Sequence, residues 1–252
     1  MHVDGVIPRR GERGGNFPEE LCGLCDSAFL PLQTTTVPNH PTTFSGSAMI
    51  LEACVGTVED AVAAQTNGAD QLELCDRLDL DGTSPPRELV VAVCQAVSIP
   101  VKVILNPVSF DYSYSADQLD DILAYMASLE DLKLAGFVFG ALDQHKMPDL
   151  GAVEKIATAT DLPITFHKAI DDTADILAAL DHIAQSNLVQ FVLSSGGSPT
   201  AQQGQGRLIE MRDHLAGHST KLIAAGSITA DNLPELHQAL GLDHYHGKRI
   251  VA

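Results

Sequence analysis

The sequence predicts an α/β fold: a short TIM-like (β/α)8 barrel with its eighth helix missing or truncated. Three observations carry this. Strand-like and helix-like segments alternate from Met49 onward. The strand segments are apolar runs without strict alternation, the pattern of parallel strands buried on both faces. Polar residues collect where these strands end, and that rim is where barrels of this class keep their functional groups. About 200 residues lie at the lower limit for the fold. An open doubly wound sheet is the runner-up. It needs a Gly-rich first turn, and Cys54-Val55-Gly56-Thr57 is not G-x-G-x-x-G.

In chain order, Met49–Cys54 reads as the first strand and Val58–Asn67 as a helix stopped by Gly68. Gln71–Cys75 is the second strand. Arg87–Val97 is a helix opening after Pro85-Pro86, because proline suits a helix start. Val101–Leu105, Ala116–Leu129 and Gly136–Phe139 follow as strand, helix and strand. Leu150–Thr160, Ile164–Phe166 and Thr173–Gln185 continue as helix, strand and helix. Gln190–Leu193, Gln205–Leu215 and Lys221–Ala224 come next as strand, helix and strand. Asp231–Leu240 is the last helix, capped by Asp231 or Thr229, and His244–His246 is the last strand. Only six residues follow His246, too few for a full eighth helix.

Residues 1–48 differ from the rest. They hold Gly-Gly, several prolines, a Thr run and no periodicity, so they are expected to be a poorly ordered extension of a folded domain at 49–252. Met49 is an alternative first residue. Cys22-Gly23-Leu24-Cys25 is a C-x-x-C, but no second ligand pair or surrounding fold accompanies it.

Net charge is −18, from 15 basic and 33 acidic residues, which argues against nucleic acid and anionic membranes as partners. No apolar run reaches 18 residues. Five cysteines at irregular spacing fit a reducing cytoplasm better than a disulfide scaffold. The expected partners are a metal ion or a small-molecule ligand, with a second copy of the chain as a further candidate.

Leu51-Glu52-Ala53-Cys54 and Leu72-Glu73-Leu74-Cys75 repeat one pattern 21 residues apart. In a strand, residues two apart share a face, so each Glu points the same way as its Cys. Adjacent strands would bring two carboxylates and two thiols together at the barrel mouth. A Glu in an apolar strand is costly to bury unpaired, so the duplication asks for an explanation beyond packing. Crowded carboxylates repel, and one should keep its proton near neutral pH unless Lys168 or a ligand compensates.

Other strand ends add Asn106, Asp111, His167, Lys168, Asp171 and Asp172, the Ser195-Gly196-Gly197 turn, and His244 and His246. Several have plainer readings. The two Glu residues would serve equally as a structural pair, Cys54 and Cys75 as small core fillers, and Ser195–Gly197 as a simple turn. His167, beside a lysine at a strand end, reads more as a site histidine than as a core one. Cys94 lies on the apolar face of its helix, and His182, His214, His218 and His237 read as surface.

The segments LEACVGTVEDAVAAQTNGADQLELC, SFDYSYS, FVFGAL, PITFHKAIDD, LSSGG and HYHG resemble the copper homeostasis protein CutC family in order and spacing, from Met49 to Gly247. The resemblance implies a cytoplasmic TIM-like barrel associated with copper tolerance and copper binding. The chain departs from the family pattern in places. Asn106-Pro107-Val108 stands where Arg-Pro-Arg is usual, and His167-Lys168 where His-Arg is usual. Asp81-Gly82-Thr83-Ser84-Pro85 loosens Gly-Gly-x-Thr-Pro, and the usual C-terminal continuation is absent. An Arg fork is not replaced by an uncharged Asn, so an anion held by the family's arginines should bind here more weakly.

The reading is thus a copper-binding barrel, with Cys54 and Cys75 as soft ligands suited to Cu(I). Its rival is an enzyme acting on a small anionic metabolite at the barrel mouth. There Glu52 or Glu73 would be the base and His167 a general acid or base. Lys168 would be a clamp, Ser195–Gly197 an anion cradle, and Asn106, Asp171 and His246 ligand-binding groups.

Overall fold

The computed structural model describes residues 49–80, 82–107 and 112–251. The Cys22/Cys25 pair and Asp111 lie outside the described residues, as does the expected extension at 1–48. Eight parallel strands close into a barrel in sequential order. They are β1 Ile50–Val55, β2 Gln71–Leu74, β3 Val101–Ile104, β4 Gly136–Val138, β5 Ile164–Phe166, β6 Phe191–Ser194, β7 Lys221–Ala224 and β8 His244–Gly247. The helices between them are α1 Val58–Thr66, α2 Arg87–Ala96, α3 Ala116–Ala127, α4 Leu150–Thr158, α5 Ile176–Ser186, α6 Gln205–His214 and α7 Leu233–Leu240. Among the described residues no helix follows β8.

Local sequence explains most boundaries. Thr57 caps α1 by accepting from the Asp60 N–H, and Ser115 with Gln118 forms a capping box on α3. Gly241, in the left-handed region, ends α7. Two boundaries correct the sequence reading. The helix expected from Thr173 instead begins at Ile176, because Lys168–Asp172 winds into a 3-10 turn and Asp175 then caps α5, accepting from the Leu177 and Ala178 amides. Neither Asp231 nor Thr229 caps α7. Its first turn follows Asn232, whose side chain accepts from the Thr229 N–H.

Strand residues such as Ala53, Leu72, Leu74, Val101, Val103 and Phe137 join the large apolar layer shared with the helices. The barrel interior is filled differently. Cys54, Cys75, Ile104 and Val138 form one small apolar group, and Leu193, Ile223 and Ala225 another. Glu52 and Lys102 are buried inside the same barrel. A polar layer thus lies within the apolar barrel, and the candidate site rests on it. Among the described residues no helix is long and apolar enough to cross a membrane.

Candidate functional site

The duplicated Glu-x-Cys pattern brings its four residues together, but the two carboxylates take different parts. Glu52 on β1 is 1% exposed and fully engaged. Its Oε2 lies 2.9 Å from Lys102 Nζ and accepts from Gln71 Nε2 at 2.8 Å, while Oε1 lies 2.8 Å from His246 Nδ1. Burial would raise its pKa, but the Lys102 ammonium and His246 outweigh burial and hold it near 2. Glu52 is therefore a buried anion anchoring two cations, not a free base.

Glu73, one strand over, is the opposite case. Its Oε2 is buried without a hydrogen-bond partner among the described residues, 3.7 Å from His246 Nδ1, and Oε1 lies 3.4 Å from the Cys75 sulfur. Burial, reinforced by the negative charges of Cys54 and Glu52, pushes its pKa up to about 7 despite His246. One carboxyl of the pair is thus pushed towards its protonated form, by burial first and by the neighbouring Glu52 only in smaller part. The compensating cation for the other is Lys102, not Lys168.

The two sulfurs lie 3.6 Å apart. The hydrogen bond from Cys75 draws the Cys54 pKa down to about 5 against burial, with His246 assisting. Cys75 moves the other way, well above an ordinary thiol, because of its Cys54 partner and burial. His246 is raised despite burial by Glu73, Cys54 and Glu52. A sulfur drawn towards the thiolate, a histidine drawn towards the imidazolium and a carboxyl pushed towards its protonated form therefore meet at one point. Cys54 Sγ, a Glu73 oxygen and a His246 ring nitrogen all lie within 4.8 Å of one another, a spacing that a single metal ion can bridge.

Across the mouth, His167 follows β5 and is 6% exposed. Its Nδ1 accepts the Ala169 N–H at 3.1 Å, so Nε2 carries the proton, and Nε2 is buried with no hydrogen-bond partner among the described residues. Burial depresses its pKa to about 4, which keeps the ring neutral. It packs 4.9 Å from the Tyr112 ring, ring centre to ring centre. Gly140 makes room for it: a Cβ there would lie 2.5 Å from His167 Nδ1.

The Ser195–Gly197 turn does not present free amides. The Ser195 N–H donates to Asp171 Oδ2 and the Gly197 N–H to Asp171 Oδ1, each at 2.9 Å, and Ser195 Oγ donates to Oδ2 at 2.8 Å. The Gly196 N–H is taken by Ser194 Oγ. The side chain of Asp171 already fills the anion cradle, so these residues clamp the 3-10 turn after β5 to β6. Asn106 is likewise committed: Nδ2 donates to Gly82 O at 2.8 Å, and Oδ1 accepts from Tyr114. It lines the cavity mainly as a brace for the loop after β2.

A cavity of about 390 Å³ opens at the mouth and brings Cys54, Glu73, Asn106, His167, Lys168 and His246 to one wall or another. Cys75, Asp171 and Ser195–Gly197 are not on its surface. Sequence reasoning missed Lys102, Lys248 and Arg249. Lys102 had a signal, since a Lys inside Val101-Lys102-Val103-Ile104 breaks an apolar strand just as Glu52 does. His237, expected at the surface, is half-buried, with Nδ1 3.0 Å from the Tyr245 hydroxyl.

A family model described as the CutC family matches residues 49–251. The chain also resembles a crystal structure of the CutC protein from Streptococcus agalactiae, provisionally assigned to copper homeostasis. The TM-score is 0.75 at 23% identity, over 81% of this chain and 100% of that one. Phosphoribosylanthranilate isomerase from Thermotoga maritima matches at TM-score 0.51 and 10% identity, over 79% of this chain and 86% of the isomerase. D-glucarate dehydratase from Agrobacterium tumefaciens matches at 0.55 and 14%, over 80% of this chain and 53% of the dehydratase. Likenesses at these identities speak to the barrel fold alone.

Proposed function

The chain belongs to the CutC family, and we propose that it binds Cu(I) at the barrel mouth as a copper-handling protein of the cytoplasm. The observation that carries this reading is the meeting of Cys54 with Cys75, Glu73 and His246. A sulfur already drawn to the thiolate form has a second sulfur 3.6 Å away and a carboxyl oxygen and ring nitrogen within 4.8 Å. Soft thiolates favour Cu(I) over the harder divalent ions. The donor set fits the ion in another respect. Glu73 Oε2 is a buried oxygen with no hydrogen-bond partner among the described residues, a lone pair whose burial a bound cation would offset.

In this reading Cys54 is the first ligand and Cys75 the second sulfur, entering when it loses its proton. His246 is the nitrogen donor and Glu73 the charge-balancing oxygen. Glu52 and Lys102 stay outside the ligand set: Glu52 orients His246, and Lys102 neutralises Glu52. Binding then releases protons, because Cys75, Glu73 and His246 all hold protons that a metal displaces. A reducing compartment keeps both sulfurs available.

The test is chelator competition for Cu(I) on wild type, Cys54→Ser, Cys75→Ser and His246→Ala, with zinc run in parallel. Loss of Cu(I) binding in both Cys variants supports the two-sulfur site. Cu(I) affinity unchanged by Cys54→Ser would overturn it. Zinc binding that survives Cys75→Ser while Cu(I) binding was never tight would assign the cluster to a divalent ion instead.

A further inference from the structure

We propose that the mouth also binds a small phosphorylated metabolite. Its phosphate is held over the loops after β7 and β8 by Lys168, Lys248 and Arg249, and an oxygen of its carbon skeleton accepts from His167 Nε2. The site shares the mouth with the sulfur cluster, Lys248 lying two residues beyond His246, and does not depend on copper.

Charge is the first support. The chain carries a net −18, yet the described residues lining the cavity include Lys168, Lys248 and Arg249 against one carboxyl group, the buried Glu73, and the Cys54 sulfur. The mouth therefore runs against the sign of the protein as a whole, and low-dielectric walls focus such a field on an incoming anion. Lys248 is also held in place. Its Nζ donates to Leu78 O at 2.8 Å, which leaves two ammonium protons for a ligand.

Backbone shape is the second. The chain after β7 passes through positive φ at Gly226 (φ 103) and at Ser227 (φ 56). Such a conformation is uncommon for a non-glycine residue, and strained backbone of this kind clusters at ligand sites. A Cβ on Gly226 would lie 2.7 Å from Ser195 Cβ, so the loop has no room for a side chain at this point. Loops after the last two strands are where barrels of this fold often hold phosphate.

The third support is independent of charge and of loop shape. His167 Nε2 is a buried donor on the cavity wall with no hydrogen-bond partner among the described residues, and leaving a buried donor unsatisfied is costly. Its tautomer is fixed by the Ala169 amide, so the missing partner must be an acceptor. Three cations suit a phosphate better than a single carboxylate. A cavity of about 390 Å³ lies near the lower end for small-molecule sites and suits a skeleton of a few carbons.

The experiment is titration calorimetry on the full chain with copper and zinc removed by chelation, so that its outcome is separate from the metal reading. The probes are dihydroxyacetone phosphate, 3-phosphoglycerate and ribose 5-phosphate, with dihydroxyacetone, glycerate and inorganic phosphate as controls. At least one phosphate ester should bind saturably and more tightly than every control. The exposed double variant Lys248→Ala/Arg249→Ala should weaken it about tenfold or more, and His167→Gln, checked for an intact thermal transition, should weaken the ester but not inorganic phosphate. Added salt should weaken binding in wild type more than in the double variant. The proposal is overturned if no ester outbinds inorganic phosphate, if glycerate binds as well as its phosphate ester, or if the double variant binds as wild type does.

Discussion

Lys102 pairs with Glu52 and not with Glu73, although Glu73 is its register neighbour on the adjacent strand. The lysine reaches past β2 to the carboxylate on β1, donates to Thr165 Oγ1 at 3.3 Å, and packs 4.5 Å from the Phe191 ring centre. This choice of partner separates the two members of the sequence repeat. One Glu is an ionised anchor, and the other is a proton-holding group facing the cavity.

The two Gln substitutions should therefore differ. Glu52→Gln leaves the Lys102 ammonium buried without a counter-charge, and breaking a buried pair from one side typically costs about 3–5 kcal/mol. Glu73→Gln removes a carboxyl with one oxygen unpartnered and should be neutral or stabilising above pH 7, where the wild-type group is forced to ionise. Urea denaturation of both variants at pH 8 checks this, and equal losses would contradict it.

His167 gives a pH signature. Its folded pKa of about 4 lies below the ordinary 6.5, so between those values the unfolded chain binds a proton that the folded protein refuses. The histidine's contribution to stability is present above pH 6.5 and is lost as pH falls towards 4. The span corresponds to about 3 kcal/mol. Comparing denaturation of wild type and His167→Gln from pH 4 to 7 isolates this slope. A difference between them that is flat with pH would mean the ring is not held neutral.

Cys54 should be the fastest of the three cysteines in the folded domain to react with iodoacetamide at pH 6. Its hydrogen bond from Cys75 and its neighbour His246 favour the thiolate, and it lines the cavity. Cys75 holds its proton, and burial raises Cys94. Peptide mapping after brief labelling should find Cys54 modified first. His246→Ala should slow the labelling severalfold at pH 6 and less at pH 9, because it removes part of what lowers the pKa. Preferential labelling of Cys75 would reverse the assignment.

What the sequence could reveal follows the range of the interactions involved. The alternation of elements and the Glu-x-Cys repeat are local patterns, and they led to the barrel and to Cys54, Glu73 and His246. The different fates of Glu52 and Glu73 depend on Lys102, roughly 50 and 30 residues away, whose partner is set by barrel stagger. Ser195–Gly197 misled for the same reason. The turn has the local chemistry of an anion loop, but Asp171 arrives from β5 to occupy it. Lys248 and Arg249 follow the last strand as ordinary surface residues would, and only closure of β8 onto β1 turns them towards the mouth.

Gly140 offers the sharpest steric test of the site. It follows β4, and a side chain there would meet His167 Nδ1 at 2.5 Å and Cε1 at 2.7 Å, with Ala169 Cβ behind at 3.2 Å. These are ring and core atoms with no flexible end to swing away. The ring is further confined by Tyr112 and by its bond from the Ala169 amide. Gly140→Ala should therefore displace His167 and cost about 1–3 kcal/mol, the usual range for overpacking. The displaced ring would lose the Ala169 bond and gain solvent, so its pKa should move back towards 6.5. The two effects must appear together, as a lower melting temperature and an upward shift of the His167 titration followed by NMR. A destabilised variant whose His167 still titrates near 4 would show that the strain is absorbed elsewhere, and that Gly140 does not set the position of the ring.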